Sequence, residues 1–327
     1  MRAVALLTIV AACARGPSDA ELDRLHAETI AANTAAMAAN HTQAHADPGF
    51  TLAVSGRIAK PGATLAWAEV EKLATTKVAT IHPQNPTTPM AFEGVLVRDL
   101  LDRFGAAADS DEVTLVSLDG FRATVKLADA RANRMLLAIR ADGAPIPQEH
   151  GGPIYLIHPW SEAPAMKEAY PDRFWAFYVT HLVVGTELPH LVIAGHELDG
   201  AALAAMPKSA FDGPIGFKVE WPSDAVHLGG VRLVDAIAAA HVALPPHGKI
   251  VVHGKAHVHD DPAQPIEFLV DDLERCKPLL GLRIGLDEAP ITARLGGPIV
   301  LAFTPCGDRY TSRHWVTFVE RIEVAPP

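Results

Sequence analysis

The chain reads HGGPIYLIHPW at 150–160 and LGGPIVLAFTP at 295–305. Each is a glycine pair, a proline and then an uninterrupted apolar run, the pattern of a short strand buried on both faces. The glycines let the backbone turn tightly, or approach another segment where a Cβ would clash. One match of this length could be accident, so the weight falls on the flanks.

The flanks repeat, in order. FTLAVSGRIAKPGATLAWAEVEKLA (50–74) reads as strand, turn and short helix, and LVIAGHELDGAALAAMPKSAF (191–211) has the same plan, with Gly56 matched by Gly195. FEGVLVRDLLDRFG (92–105) is matched by LGGVRLVDAIAAAH (228–241), Gly-Val ahead of an amphipathic helix. Its apolar face in the first instance is Leu96, Leu100, Leu101 and Phe104. ATVKLADARANRMLLAIRADGAPIP (123–147) is matched by EFLVDDLERCKPLLGLRIGLDEAPIT (267–292). After the two GGPI strands, FWAFYVTHLVV (174–184) is matched by HWVTFVERIEV (314–324), which aligns Trp175 with Trp315. Five elements in one order indicate a duplicated unit of about 140 residues, long enough in each copy for its own core. The boundary falls near 186–190. The expected fold class is α+β: two tandem domains of short mixed strands, one- or two-turn helices and Pro/Gly turns.

Ahead of the repeat, MRAVALLTIVAAC has a basic start, an apolar run too short to span a bilayer and a small-residue end, the order of a secretory signal. Val10-Ala11-Ala12-Cys13 resembles the bacterial lipobox, in which the cysteine becomes the lipid-modified first residue; a plain signal peptide with a chance cysteine is the other reading. The expected organisation is a signal peptide with lipobox over 1–13, an Ala-rich tether over 14–49, a first domain over 50–187 and a second, more divergent copy over 188–327. The expected location is the periplasm, with membrane contact only through a lipid anchor at Cys13. A formal charge of −10 argues against a nucleic-acid binder, which would need a basic face. Of the remaining cysteines, Cys276 lies in a helical pattern and Cys306 in a loop, and sequence leaves their pairing open. Walker, HExxH, GxSxG, GxGxxG and CxxCH motifs are all missing.

Gly-Val-x-x-x-Asp, then Asp119-Gly120-Phe121, then LLAIRADGAPIPQEHGGPIYLIHP and a closing Trp strand together resemble the molybdopterin-binding domain of the sulfite oxidase family. The resemblance covers about 50–185 nearly end to end and about 190–325 more loosely. It implies an oxidoreductase scaffold that holds a molybdenum pterin, with one protein thiolate on the metal, soft sulfur suiting that chemistry. That cysteine is expected between the first helix and the Gly-Val helix. The stretch there, TTKVATIHPQNPTTPMAFEGV (75–95), has no Cys, and neither has DGPIGFKVEWPSDAVHLGGV (212–231). His82 stands about where the thiolate is expected, in a Pro-stiffened loop with Asn85. The missing cysteine argues against standard molybdenum catalysis, and no catalytic residue is assigned. A non-catalytic binding or accessory protein, with a small molecule or a redox protein as partner, is the alternative.

The resemblance also implies cofactor contacts at the Asp119 turn and at loop arginines, Arg173 in the first copy and Arg309 and Arg313 in the second, since guanidinium suits phosphate. Asp-Gly is equally a hairpin signal, and a loop arginine is commonly just solvated. The segment VVHGKAHVHDDPAQP (251–265) gathers His253, His257, His259 and Asp260, and in an extended chain His257 and His259 share a face. Zinc or copper is the candidate ion there, a polar surface insertion the alternative.

Overall fold

In the computed structural model, which describes residues 49–60, 62–214, 221, 222, 224–255, 266–307, 309–311 and 314–327, the alternation of FTLAVSG becomes β1 (Thr51–Gly56), with Leu52 and Val54 buried. β2 (Ala63–Ala66) folds back on it, and α1 (Trp67–Leu73) follows. β3 (Thr76–His82) and β4 (Asn85–Leu96) form a hairpin that runs into α2 (Val97–Phe104), whose Leu100, Leu101 and Phe104 are buried as the spacing requires. β5 (Glu112–Ser117) and β6 (Arg122–Lys126) pair across the Asp-Gly turn, and α3 (Leu127–Ala132) leads to β7 (Leu136–Ala141). The two-residue β8 (Ala144–Pro145) and the first GGPI strand, β9 (Tyr155–Ile157), both pair with β7. After α4 (Ala165–Ala169), β10 (Val179–Val184) closes the half.

These strands make two sheets. One has the order β2-β1-β10-β5-β6, parallel only between β1 and β10; the other runs β3-β4-β7-β8 with β9 on β7. From His190 onward the same plan is built again: β11 (His190–Ile193), β12 (His196–Asp199), α5 (Gly200–Ala204), β13 (Ser209–Pro214), β14 (Ala225–Arg232) and α6 (Leu233–Ala239). Then come β15 (Lys249–Gly254), β16 (Ile266–Leu269), α7 (Leu273–Cys276), β17 (Leu279–Ile284), β18 (Ala289–Pro290), β19 (Val300–Ala302) and β20 (Val319–Ala325). The sheets are β12-β11-β20-β15-β16, again with one parallel pair, β11 and β20, and β13-β14-β17-β18 with β19 on β17. α4 alone has no counterpart among the described residues of the second half.

The agreement extends to irregularities. The β4–β7 ladder slips between Glu93 and Gly94, and the β14–β17 ladder between Gly229 and Gly230. A Cβ on Gly94 would sit 2.0 Å from the Leu137 carbonyl oxygen, and one on Gly230 2.0 Å from that of Leu280, so both positions require glycine. Tyr178 and Phe318, just before the closing strands, both take a left-handed backbone, φ 51° and 52°, which costs on the order of 1 kcal/mol or more in a non-glycine residue.

Each half has its own apolar core. A small third cluster of Val116 and Val183 from the first half with Ala293 and Phe318 from the second joins them, and residues 45–327 form one contact unit. Two expectations are corrected here. The stretch around His82 is a β-hairpin rather than a loop, because Thr76–Ile81 pairs with Pro89–Gly94 while Pro86 and Pro89 occupy the exposed end of β4. Leu96 ends β4 rather than starting the helix face. The open question of the cysteines is answered by a Cys276–Cys306 disulfide, Cα–Cα 5.4 Å, joining α7 to the loop after β19.

Candidate functional site

The inward side of β3 carries Val78, Thr80 and His82, two polar residues in a row that an ordinary core strand would fill with apolar ones. The Gln84 N–H donates to His82 Nδ1 (3.2 Å), so that nitrogen is unprotonated. Nε2 then carries the proton and donates to the Tyr155 hydroxyl at 2.9 Å. The His82 ring meets Tyr155 and Trp175 edge-on at 5.6 and 5.4 Å, and Phe92 at 6.2 Å. Burial holds its pKa below the ordinary histidine value and pushes the Tyr155 phenol up.

Immediately beyond β9, His158 is fully buried. Its ring stacks on Tyr170 at 5.4 Å and lies 5.9 Å from Trp175. Its Nε2–H donates to the Phe174 carbonyl at 3.0 Å. Burial drives its pKa down to about 4, against a small opposing pull from that carbonyl. Thr80 Oγ1 donates to the His158 carbonyl (3.1 Å) and accepts from Ser161 N–H (3.4 Å), while Ile81 N–H donates to Ser161 Oγ (3.2 Å). These bonds clasp the loop after β9 onto β3. Two buried polar atoms in this cluster have no partner, the His158 Nδ1 acceptor and the Trp175 Nε1–H donor. Each such atom costs about 1–3 kcal/mol, so the cluster carries polar groups that the packing of the first half leaves unsatisfied.

Among the described residues, His82 is thus the only member of the expected cofactor set that lies in this cluster. Asn85, at the exposed start of β4, accepts from Thr87 Oγ1 (3.3 Å). Asp119 is exposed and accepts from Phe121 N–H at 3.0 Å, an Asx turn that accounts for the residue by itself. Arg173 and Arg309 are exposed, with their guanidinium groups over the neighbouring rings of Phe174 (5.1 Å) and Tyr310 (5.5 Å). Arg313, Cys13, His257, His259 and Asp260 lie outside the described residues. His253, on β15, is 3.5 Å from Glu323. Among the described residues, no group of three or more His, Cys, Asp or Glu side chains is placed to hold a metal. Thr80, Tyr155 and His158 are site residues that sequence reasoning missed; the signal was available in HPW directly after GGPIYLI, histidine within an otherwise apolar strand ending.

A thiolate-ligated molybdenum does not fit this arrangement. The position expected for sulfur holds an imidazole with both nitrogens engaged, packed among three aromatic rings, and Cys276 and Cys306 are spent on each other.

A second polar cluster joins the halves. Lys255, at the end of β15 and buried, pairs with Glu187 of the connecting segment at 3.0 Å and with Glu320 of β20. Burial opposes the Lys255 charge, but Glu320 and Glu187 outweigh it and raise the pKa. Burial likewise opposes the Glu187 charge, yet Lys255, Ser55 and the Gly56 N–H (3.0 Å) hold its pKa low. His181 beside them is pushed down to about 4, first by burial and then by Lys255. Arg122 Nε donates across to the Arg294 carbonyl at 3.1 Å. A cavity of about 920 Å³, lined in part by Gly56, Glu187, Leu188, Pro298 and Glu320, lies along this seam.

Residues 39–166 match the family model of the oxidoreductase molybdopterin binding domain. The match spans the first strand pattern up to α4 and none of the second. Among solved structures, the sulfane dehydrogenase SoxCD from Paracoccus pantotrophus is similar at 14% identity and a TM-score of 0.34, over 64% of this chain and 58% of that one. The chain therefore spans less than two thirds of that structure. No curated protein matches.

Proposed function

We propose that residues 50–187 and 188–327 are two copies of the sulfite-oxidase-type molybdopterin-binding scaffold, and that this exported chain works as a binding or accessory protein rather than as a thiolate-type molybdenum oxidoreductase. Support for the doubling comes from the repeated strand order, and for the scaffold from the family match at 39–166. The observation that carries the functional reading is His82: in place of a free sulfur there is a neutral, hydrogen-bonded imidazole closed into an aromatic core. Basic side chains and backbone are still available for a pterin without metal, and the partner is a small molecule or a redox protein. The lipid anchor at Cys13 belongs to the same proposal.

The test is the full chain purified from a host with intact molybdopterin synthesis, analysed for molybdenum by mass spectrometry and for pterin by fluorescence. The expected result is molybdenum far below one per chain, with or without pterin. One molybdenum per chain sinks the reading. Cys13→Ala is expected to move the protein from the membrane to the soluble fraction, and unchanged fractionation removes the anchor.

A further inference from the structure

The two halves carry an arginine at the same ladder position. Arg140 of β7 lies opposite Glu93 of β4, and Arg283 of β17 lies opposite Gly229 of β14. Arg140 is ion-paired with Glu93 and with Glu71 of α1, both at 3.6 Å. In the second half Gly229 replaces Glu93, and Ala204, at the matching place in α5, replaces Glu71. Trp67, the first residue of α1, packs edge-on against Phe50 at 5.7 Å; the first residue of α5 is Gly200. Three side chains that flank this position in the first half are missing together from the second.

A cavity of about 430 Å³ stands there, within the range of small-molecule sites, roughly 300–1,000 Å³. Leu203, Val231 and Ile291 give it an apolar wall, and Arg283 and Lys208 line it. Among the described residues neither cation has an ion-pair partner. Two carboxylates also line it: Glu187, paired with Lys255 at 3.0 Å, and Glu288, which is 3.8 Å from His227 and whose carboxylate lies over Gly229, 2.9 Å from where a Cβ there would sit.

We propose that this cavity binds a small organic anion, its oxyanion head on Arg283 and Lys208 and its apolar body against Leu203, Val231 and Ile291. Unlike Arg140, Arg283 forms no ion pair among the described residues, so its guanidinium offers paired N–H donors to a planar oxyanion, and the charge-assisted bonds gain strength beside an apolar wall. The proposal deepens the reading of the chain as a binding protein and rests on it; the molybdenum analysis is independent, so either can fail without the other.

The experiment is calorimetric titration of the full chain with octanoate, octyl phosphate and 1-octanol. Octanoate is expected to bind at least about tenfold more tightly than octanol, a gap of about 1.4 kcal/mol. Comparable binding of octyl phosphate extends the site to oxyanions generally, and weaker binding confines it to carboxylates; both support it. Ala204→Glu, which restores to Arg283 the carboxylate it has in the first half, and Arg283→Gln are each expected to weaken octanoate about tenfold and leave octanol unchanged. Gly200→Trp, at a position where a Cβ meets only ordinary contacts with Pro189 at 3.5 Å, fills the cavity and abolishes both. Ala204 is exposed, so its variant keeps the fold, as a thermal melt checks. No octanoate binding, octanol binding as tightly as octanoate, or octanoate binding that survives both Ala204→Glu and Arg283→Gln overturns the proposal.

Discussion

The two halves share a strand order and differ in what their cores are made of. Both anchor a tyrosine in the same way: Tyr170 accepts from Lys126 N–H and donates to Asp129 at 2.6 Å, and Tyr310 accepts from Leu269 N–H and bonds Asp272. Behind that anchor they diverge. Where the first half has His158 and an unpartnered Trp175 Nε1–H, the second has Phe303, whose carbonyl accepts from Trp315 Nε1 at 3.1 Å. Where the first has Tyr155 bonded to His82, the second has Val300. The polar groups are therefore additions to the framework, since the same framework stands without them.

That comparison breaks most sharply at the backbone. Gly94→Ala and Gly230→Ala each drive a methyl into a carbonyl oxygen, and each is expected to destabilise by more than about 4 kcal/mol, read by urea denaturation. A large effect in only one half would show that the matching slips are not equivalent. Next, the disulfide exists only in the second half. Removing it with Cys276→Ser and Cys306→Ser is expected to cost about 3–4 kcal/mol, from a closure spanning 30 residues, and to raise hydrogen exchange around α7 and β19.

The buried histidines give a pH test of similar size. His158 and His181 titrate near 4 when folded, against about 6.5 unfolded. As pH falls through 6.5 the unfolded chain takes up protons that the fold refuses. Their contribution is thus complete above pH 6.5 and is lost between about 6.5 and about 4, on the order of 3 kcal/mol for each. His158→Phe, which installs the second half's residue, is expected to remove about half of this slope between pH 7 and pH 4.5. An unchanged slope would place the titration elsewhere. The smallest effect is the shared one: Tyr170→Phe and Tyr310→Phe are each expected to cost about 1–2 kcal/mol, and values far apart would mean the two anchors only look alike.

Much of the framework is readable without coordinates, and particular residues show why. Gly94 and Gly230, the GGPI strands and Leu100, Leu101 and Phe104 of α2 follow local rules, periodicity and the absence of a Cβ, which survive any tertiary context. His82 does not. Directly ahead of Pro83, Pro86 and Pro89 it reads as punctuation, and only the pairing of β3 with β4 turns its side chain inward. The cavity beside Arg283 is equally hidden, because a space is defined by Trp67, Glu71 and Glu93 being absent from places that matter only once two ladders are laid over each other.

Sequence alone determined the repeated order of motifs, the α+β class and the lack of cysteine where a metal's sulfur is expected, because those rest on order, period and residue identity along one dimension. Tertiary structure alone decided that Cys276 meets Cys306, that Lys255 is held between Glu187 and Glu320, and that His82 is locked to Tyr155. Those are contacts between residues 30 to 73 positions apart, and which distant groups share a buried volume is set by packing rather than by spacing along the chain.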